Sequence, residues 1–224
     1  QLVLQRALVQ GAIDGTAQIG AIAVARRYAA SRGDNHVVGP DLDWAIDGAW
    51  RARAQWLSSL TTALPDAAGT LSSGPTRRGD RLYATATRQT DNTKFDVTVD
   101  DIDAGFRHDS GFVNQSGIRL VELHQGFGWR RVGPLNELWL NLNAGRTDAR
   151  DNGERVEQHT TPGVFLTGPH NLALTLEWRG ASRVRSAPGA PMLAERYAFA
   201  SGSFTPAAWV PLVEASLSLG TLAD

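Results

Sequence analysis

Apolar and polar residues alternate with a period of two along most of the chain. In one segment the even positions include Leu42 and Trp44, and the odd positions include Asp41 and Asp43. Because successive side chains of a strand point to opposite faces, this pattern predicts strands with one apolar and one polar face. About twelve strands of roughly 9 to 14 residues fit the chain, longer than the strands of most soluble sheets. The pattern recurs at residues 50–57, 82–87, 94–100, 137–143 and 171–178.

The predicted connections alternate between short and long. Short turns are expected near residues 11–14, 47–48, 91–92, 132–134, 168–170 and 205–207, and long loops at 28–35, 62–80, 101–115, 145–153 and 180–191. Short turns at one rim and long loops at the other are typical of outer-membrane barrels, whereas a Greek-key sandwich need not keep that order. We therefore predict an all-β fold: an antiparallel up-and-down transmembrane β-barrel, or an arc of one, in the bacterial outer membrane.

Two turns test the predicted register. A two-residue turn at Asp91 and Asn92 places Thr98 opposite Thr85 and keeps both faces matched. A two-residue turn at residues 47–48 would instead put Trp44 on the same face as Arg51. Since an apolar face should stay uniform, we predict an odd-length loop over residues 47–49, against the Asp-Gly turn signal.

Both ends of the sequence resemble the interior of a longer chain. The start has neither an initiator methionine nor a signal peptide. The end, at Asp224, lacks the terminal aromatic residue with which outer-membrane barrels usually finish. We expect residues 1–224 to be one β-barrel segment of a longer protein.

Two stretches resemble a known family. They are Asn35-His-Val-Val-Gly-Pro-Asp, and Asp101-Ile-Asp-Ala-Gly-Phe106 followed by Asp109-Ser-Gly-Phe-Val113. Both are similar to motifs of a large bacterial family of unknown function that carries an N-terminal carbohydrate-binding module of family 9 type, followed by a predicted outer-membrane barrel. The similarity covers residues 19–123. It implies an outer-membrane location and a link to carbohydrate, but no established reaction.

Composition excludes several classes of protein. The formal net charge of -1 gives no general attraction to nucleic acid, and the absence of cysteine excludes disulfides and cysteine-based zinc sites. No run approaches the roughly 18 apolar residues that a membrane helix needs. His108, Asp109 and Ser110 have the residue types of a hydrolase triad, but consecutive residues cannot converge on one another. The five histidines lack metal-ligand spacing, so no catalytic residue, metal or cofactor is assigned.

The candidate binding residues lie on the predicted polar face. In a barrel they would line the interior, as a selectivity surface for a polar solute; the alternative is a solvated lumen or contacts to a charged plug. Most of the seven tryptophans fall on the apolar face near strand ends, where a membrane-interface girdle is expected, and Trp139, on the polar face, is an exception. The set comprises Asp41, Asp43, Arg51, Arg53, Lys94, Asp96, Asp100 and Trp139.

Three functions remain open from the sequence. The first is an outer-membrane barrel for transport or channel activity, or an anchor, in contact with outer-membrane lipid and with a polar or carbohydrate ligand. The second is a secreted soluble β-sandwich that binds carbohydrate. The third is an outer-membrane hydrolase whose site lies in the long loops.

Overall fold

A computed structural model describes residues 2–10, 17–30, 32–65, 69–109, 115–206, 209 and 212–221. Within these residues the chain forms twelve strands, in agreement with the predicted number. They are β1 (Leu2–Gln10), β2 (Ala17–Arg27), β3 (Asp34–Ala45), β4 (Trp50–Pro65), β5 (Leu71–Gln89), β6 (Thr93–Ile102), β7 (Ile118–Val132), β8 (Leu135–Ala149), β9 (Arg155–Gly168), β10 (Leu172–Val184), β11 (Leu193–Phe204) and β12 (Val213–Thr221).

The strands follow one another through a single sheet in chain order, and each is antiparallel to its neighbours. The predicted all-β, up-and-down topology is therefore confirmed. Over the described residues the strand order does not return from β12 to β1, so closure into a barrel stays a prediction. No helix in the described part of the chain is long and apolar enough to cross a membrane.

The chain divides into two compact units. Unit 1 comprises Gln1–Ala86, Thr98–Leu120 and Ala149–Gly153, and so contains β1 to β4 and most of β5. Unit 2 comprises Thr87–Val97, Val121–Asp148 and Glu154–Asp224, and contains β9 to β12 and nearly all of β7 and β8.

Both predicted registers are confirmed. Trp44 lies opposite Ala52, and the N–H of Ile46 donates to the carbonyl of Trp50 at 2.9 Å, which leaves the three residues 47–49 in the loop. In the other hairpin the N–H of Thr90 donates to the carbonyl of Thr93 at 2.9 Å, around Asp91 and Asn92.

Three predicted long loops are wrong over part of their length. Within residues 62–80, β4 continues to Pro65 and β5 already begins at Leu71, and within 145–153, β8 continues to Ala149. These stretches are rich in small polar or charged residues, which hide the alternation from the sequence while their backbones still pair. Within the predicted loop at 180–191, β10 continues to Val184. The predicted loops at 28–35 and 101–115 lie between strands except for one or two residues at one end, and residues 110–114 of the second are outside the described residues. The predicted turn at 11–14 also falls outside the described residues.

An apolar cluster lies at one end of unit 1. It consists of Val37, Leu57, Ile102 and Phe106, each at most 5% exposed, with Ile118 packed against it. Val37 lies on the same face of β3 as Asp43, and Leu57 on the same face of β4 as Arg53, because the positions in each pair differ by an even number. This small core therefore sits on the polar face of the strands.

Candidate functional site

The apolar face of β8 to β12 in unit 2 carries no charge in its described central rows. In one row Leu140, Val164, Leu176, Ala200 and Leu217 lie opposite one another across the five strands. Exposure there is substantial, at 42% for Leu176 and 56% for Leu217. On this face of β8, the side chains at every second position from Asn136 to Ala144 are uncharged, over a length of about 27 Å at ~3.4 Å per residue.

The other face of the same strands is polar. One row joins Asn141 to Gly163 and Glu177 to Phe199, and the next contains Thr175 and Ser201. Among the described residues this face carries the glutamates Glu137, Glu157, Glu177, Glu195 and Glu214, against one arginine, Arg179. Polar groups thus face one way and exposed apolar groups the other.

Unit 1 has the same division over β2 to β4. Ile19, Leu42 and Ala54 form one row of the apolar face, and Ala17, Trp44 and Ala52 form the next. Val38, on the same face, is 55% exposed. The polar face is therefore the one that carries the predicted charged residues.

Four predicted site residues lie on the polar face of β3 and β4, and three of them are in contact. The guanidinium of Arg51 forms two hydrogen bonds to Asp43, at 2.6 and 2.5 Å, and Nε of Arg53 lies 3.3 Å from the same carboxylate. Asp41 lies one row further along, opposite Gly20 and Gln55. Both arginine side chains keep about half of their surface exposed, at 50% and 52%. This group can meet a polar solute while its charges remain neutralised.

Asp100 belongs to a second ion pair of unit 1. Its carboxylate accepts two hydrogen bonds from Arg81 of β5, at 2.8 and 2.6 Å. The sequence indicated the acid but not its partner, because Arg81 follows a stretch that was predicted as loop.

The remaining predicted residues lie in unit 2. Nζ of Lys94 is 4.5 Å from the centre of the Trp139 ring, a cation–π contact. The ring is only 7% exposed, and it lies against Gly126 and Gly128 of β7. Trp139 is therefore packed between strands and presents no free face for stacking on a ligand. Asp96 is on the same face of β6 as Lys94, since the two are two positions apart in the strand.

Sequence reasoning missed an ionic group of unit 2 that is formed by one histidine and two glutamates. His159 lies 3.4 Å from both Glu122 and Glu157. Glu122 comes from the half of β7 in which the sequence pattern does not choose a face. The sequence feature that could have indicated this group is the position of His159 and Glu157, two positions apart on the polar face of β9.

Charged residues also form ion pairs at the loop end of unit 1, the end at which β6 stops and β7 begins. Asp101 accepts a hydrogen bond from Arg119 at 2.9 Å and forms an ion pair with Arg150, whose Nε lies 2.5 Å from the carboxylate. Arg150 also forms an ion pair with Asp103. Asp101 and Arg119 are on the apolar faces of their strands, one near the end of β6 and the other near the start of β7. The uncharged part of that face therefore stops close to the strand ends.

Residues 103–109, which we call the inward segment, fold onto the polar face of unit 1. The amide of Asn35 donates to the carbonyl of Arg107 at 2.9 Å and to Thr61 at 2.7 Å, and its oxygen accepts from the N–H of Asp109 at 3.1 Å. Asn35 is 0% exposed, so its amide is buried with its hydrogen bonds satisfied. The N–H of Arg107 also donates to Ser59 at 3.1 Å.

The carboxylate of Asp109 closes this contact. It accepts a hydrogen bond from the Tyr28 hydroxyl at 2.7 Å and pairs with Arg107, while Arg26 donates to the Asp109 carbonyl. Burial, followed by the hydrogen bond to Asp109, raises the pKa of the Tyr28 phenol above its ordinary value. Burial lowers the pKa of the His108 imidazole. Asp109 thus anchors the inward segment to the ends of the neighbouring strands.

Within the described residues no group of three or more histidine, cysteine, aspartate or glutamate side chains is placed to hold a metal ion. The polar faces offer paired charges, amides and hydroxyls that can exchange hydrogen bonds with water and polar solutes.

Comparison of the chain with protein-family models, with curated proteins and with solved structures finds no match.

Proposed function

We propose that the chain forms part of the wall of a bacterial outer-membrane β-barrel, with the apolar face against lipid and the polar face lining a path for polar solutes. The observation that carries the proposal is the inverted polarity of the sheet. Seven of the eight buried apolar residues among those described lie on the polar-face side, whereas the uncharged rows of β8 to β12 contain exposed leucines.

A soluble sandwich is the weaker alternative. Such a fold buries its apolar faces against a second sheet and leaves polar faces to water. Here Leu140, Leu176, Trp178, Leu217 and Leu219 are between 42% and 62% exposed. Contiguous exposed surface of this kind is typical of proteins that meet lipid or another protein. The uncharged length of about 27 Å along β8 is of the same order as the ~25 Å apolar band of outer-membrane barrels.

The polar faces favour a transport role over a purely anchoring one. A barrel that serves only as a membrane anchor is expected to have an interior filled by side chains. The side chains of Arg51 and Arg53, in contrast, are half exposed. The surplus of glutamate over arginine on β8 to β12 predicts a preference for cations and neutral polar solutes over anions. The family resemblance adds a link to carbohydrate, which stands as a further part of the proposal.

Fractionation and bilayer recording test this function. We expect the protein to stay in the membrane fraction unless detergent is added, and after reconstitution to conduct ions with a reversal potential on the cation-selective side. The variant Glu177→Gln should reduce that selectivity, because it removes one charge from the polar face. The control Asp151→Asn, at an exposed turn between β8 and β9, should not. A protein that remains in solution without detergent would contradict the proposal.

A further inference from the structure

We infer that the inward segment, residues 103–109, is the constriction of the proposed path and limits what passes along the polar face of unit 1. This inference rests on the proposed function and adds the element that regulates it. It comes from the contrast between the covered and the open parts of one polar face.

The inward segment covers the loop end of that face and leaves the turn end open. Beneath it Asn35, Ser59 and Thr61 are at most 1% exposed, although all three are polar residues of β3 and β4. Toward the short turn of the same two strands, the side chains of Arg51 and Arg53 are half exposed. The cover is therefore local, and it reduces the open cross-section at one level.

Packing holds the segment close to the strands. Phe106 is 3% exposed within the apolar cluster, and the backbones meet without room for side chains. A Cβ atom on Gly79 would lie 2.0 Å from the Phe106 nitrogen, and one on Gly105 would lie 2.2 Å from the Arg78 carbonyl oxygen. Glycine at both positions permits this approach.

The attachment beyond Phe106 is polar and can be released piece by piece. Asn35 holds the backbone on both sides of His108, and the Tyr28 hydroxyl holds the carboxylate of Asp109. Arg107 reaches the carbonyl of Ala63 at 2.5 Å. Because these bonds come from three strand ends, removing one should loosen the segment while the strand ladder stays intact.

Single-channel conductance of the full chain in planar bilayers tests the inference. Asn35→Ala removes three hydrogen bonds to or beside the segment, and we expect conductance to rise by at least about twofold as the constriction opens. The control Asn152→Ala makes the same change in an exposed turn and should leave conductance unchanged. Should Asn35→Ala fail to assemble, Tyr28→Phe removes only the hydroxyl that holds Asp109 and should give a smaller rise in the same direction.

The outcomes separate the two claims. If the wild-type protein conducts and both folded variants conduct equally, the inward segment is not a constriction and the proposed function stands. If the wild type and both variants are silent in the bilayer, the proposed transport function fails and the inference fails with it. A silent wild type with conducting variants supports both.

Discussion

Trp139 lies flat on β7 because Gly126 and Gly128 present no side chains beneath its ring. Lys94 contacts the ring at 4.5 Å, and the indole nitrogen donates to Glu137 at 3.4 Å. An aromatic ring that fills the space over strand glycines stabilises the pairing of neighbouring strands. Trp139 thus stabilises the sheet, although its position on the polar face made it a candidate for ligand binding.

The variant Gly128→Ala should destabilise the protein. A Cβ atom there would lie 2.6 Å from ring atoms of Trp139, so the ring must move, and we expect a loss of about 1–3 kcal/mol in the free energy of unfolding. Urea unfolding in detergent micelles, followed by tryptophan fluorescence, measures the change. The control Gly48→Ala has no atom within 4 Å of its new Cβ. Equal stability of the two variants would show that Trp139 is not packed on Gly128.

At the residue scale the sequence predicted which side chains are polar-facing, but not their partners. Asp43, Arg51 and Arg53 fall on neighbouring strands, so their contact could be anticipated. The bond from Asn35 to Arg107 spans 72 residues, and no local pattern indicates it. Trp139 could not be recognised as buried, because the glycines that accommodate it are on another strand.

Strand register decides which face each side chain occupies, and one-residue changes in a turn alter it. The loop of residues 47–49 keeps Trp44 opposite Ala52, and Asp47 accepts hydrogen bonds at 2.7 Å from the N–H groups of Ala49 and Trp50. The sequence predicted this loop length from the two faces, even though the Asp-Gly pair alone favours a shorter turn.

Deletion of Gly48 should therefore disrupt assembly. A two-residue turn would slip the register by one and bring arginines to the apolar side of β4. We expect at least a tenfold loss of folded protein in the outer-membrane fraction, in line with a cost of a few kcal/mol for arginine facing lipid. Deletion of Ser186, between β10 and β11, is the control, and similar yields of the two deletions would argue against register control by this turn.

Strand β7 shows why some alternation is unreadable. Ile118 packs with the apolar cluster on the polar side, while Val121 and Phe127 are 40% and 51% exposed. Apolar residues on both faces erase the period of two. The backbone of β7 still pairs with its neighbouring strands. Its alternation is lost at the start because Ile118 packs against the apolar cluster that contains Phe106 of the inward segment.

For the whole molecule, the sequence was sufficient for the all-β class, the number of strands and their up-and-down order. Those properties follow from the alternation within each strand and from the spacing of the turns, and both can be read from short stretches of sequence. Coverage of one polar face by residues 103–109 depends on contacts distant in sequence and could not be predicted. Closure into a barrel and the outer-membrane location remain proposals based on the exposed apolar rows.

The most direct test is the environment of the two faces in reconstituted membranes. The chain contains no cysteine, so single cysteines can carry a spin label at Leu176 and Leu217, with Thr175 and Ser216 as polar-face neighbours. We predict that labels at Leu176 and Leu217 collide with oxygen, which enriches in lipid, and are shielded from a water-soluble nickel complex. Labels at Thr175 and Ser216 should show the opposite preference. Labels at Leu176 and Leu217 that are shielded from both reagents, or reached mainly by nickel, would contradict a lipid-facing wall.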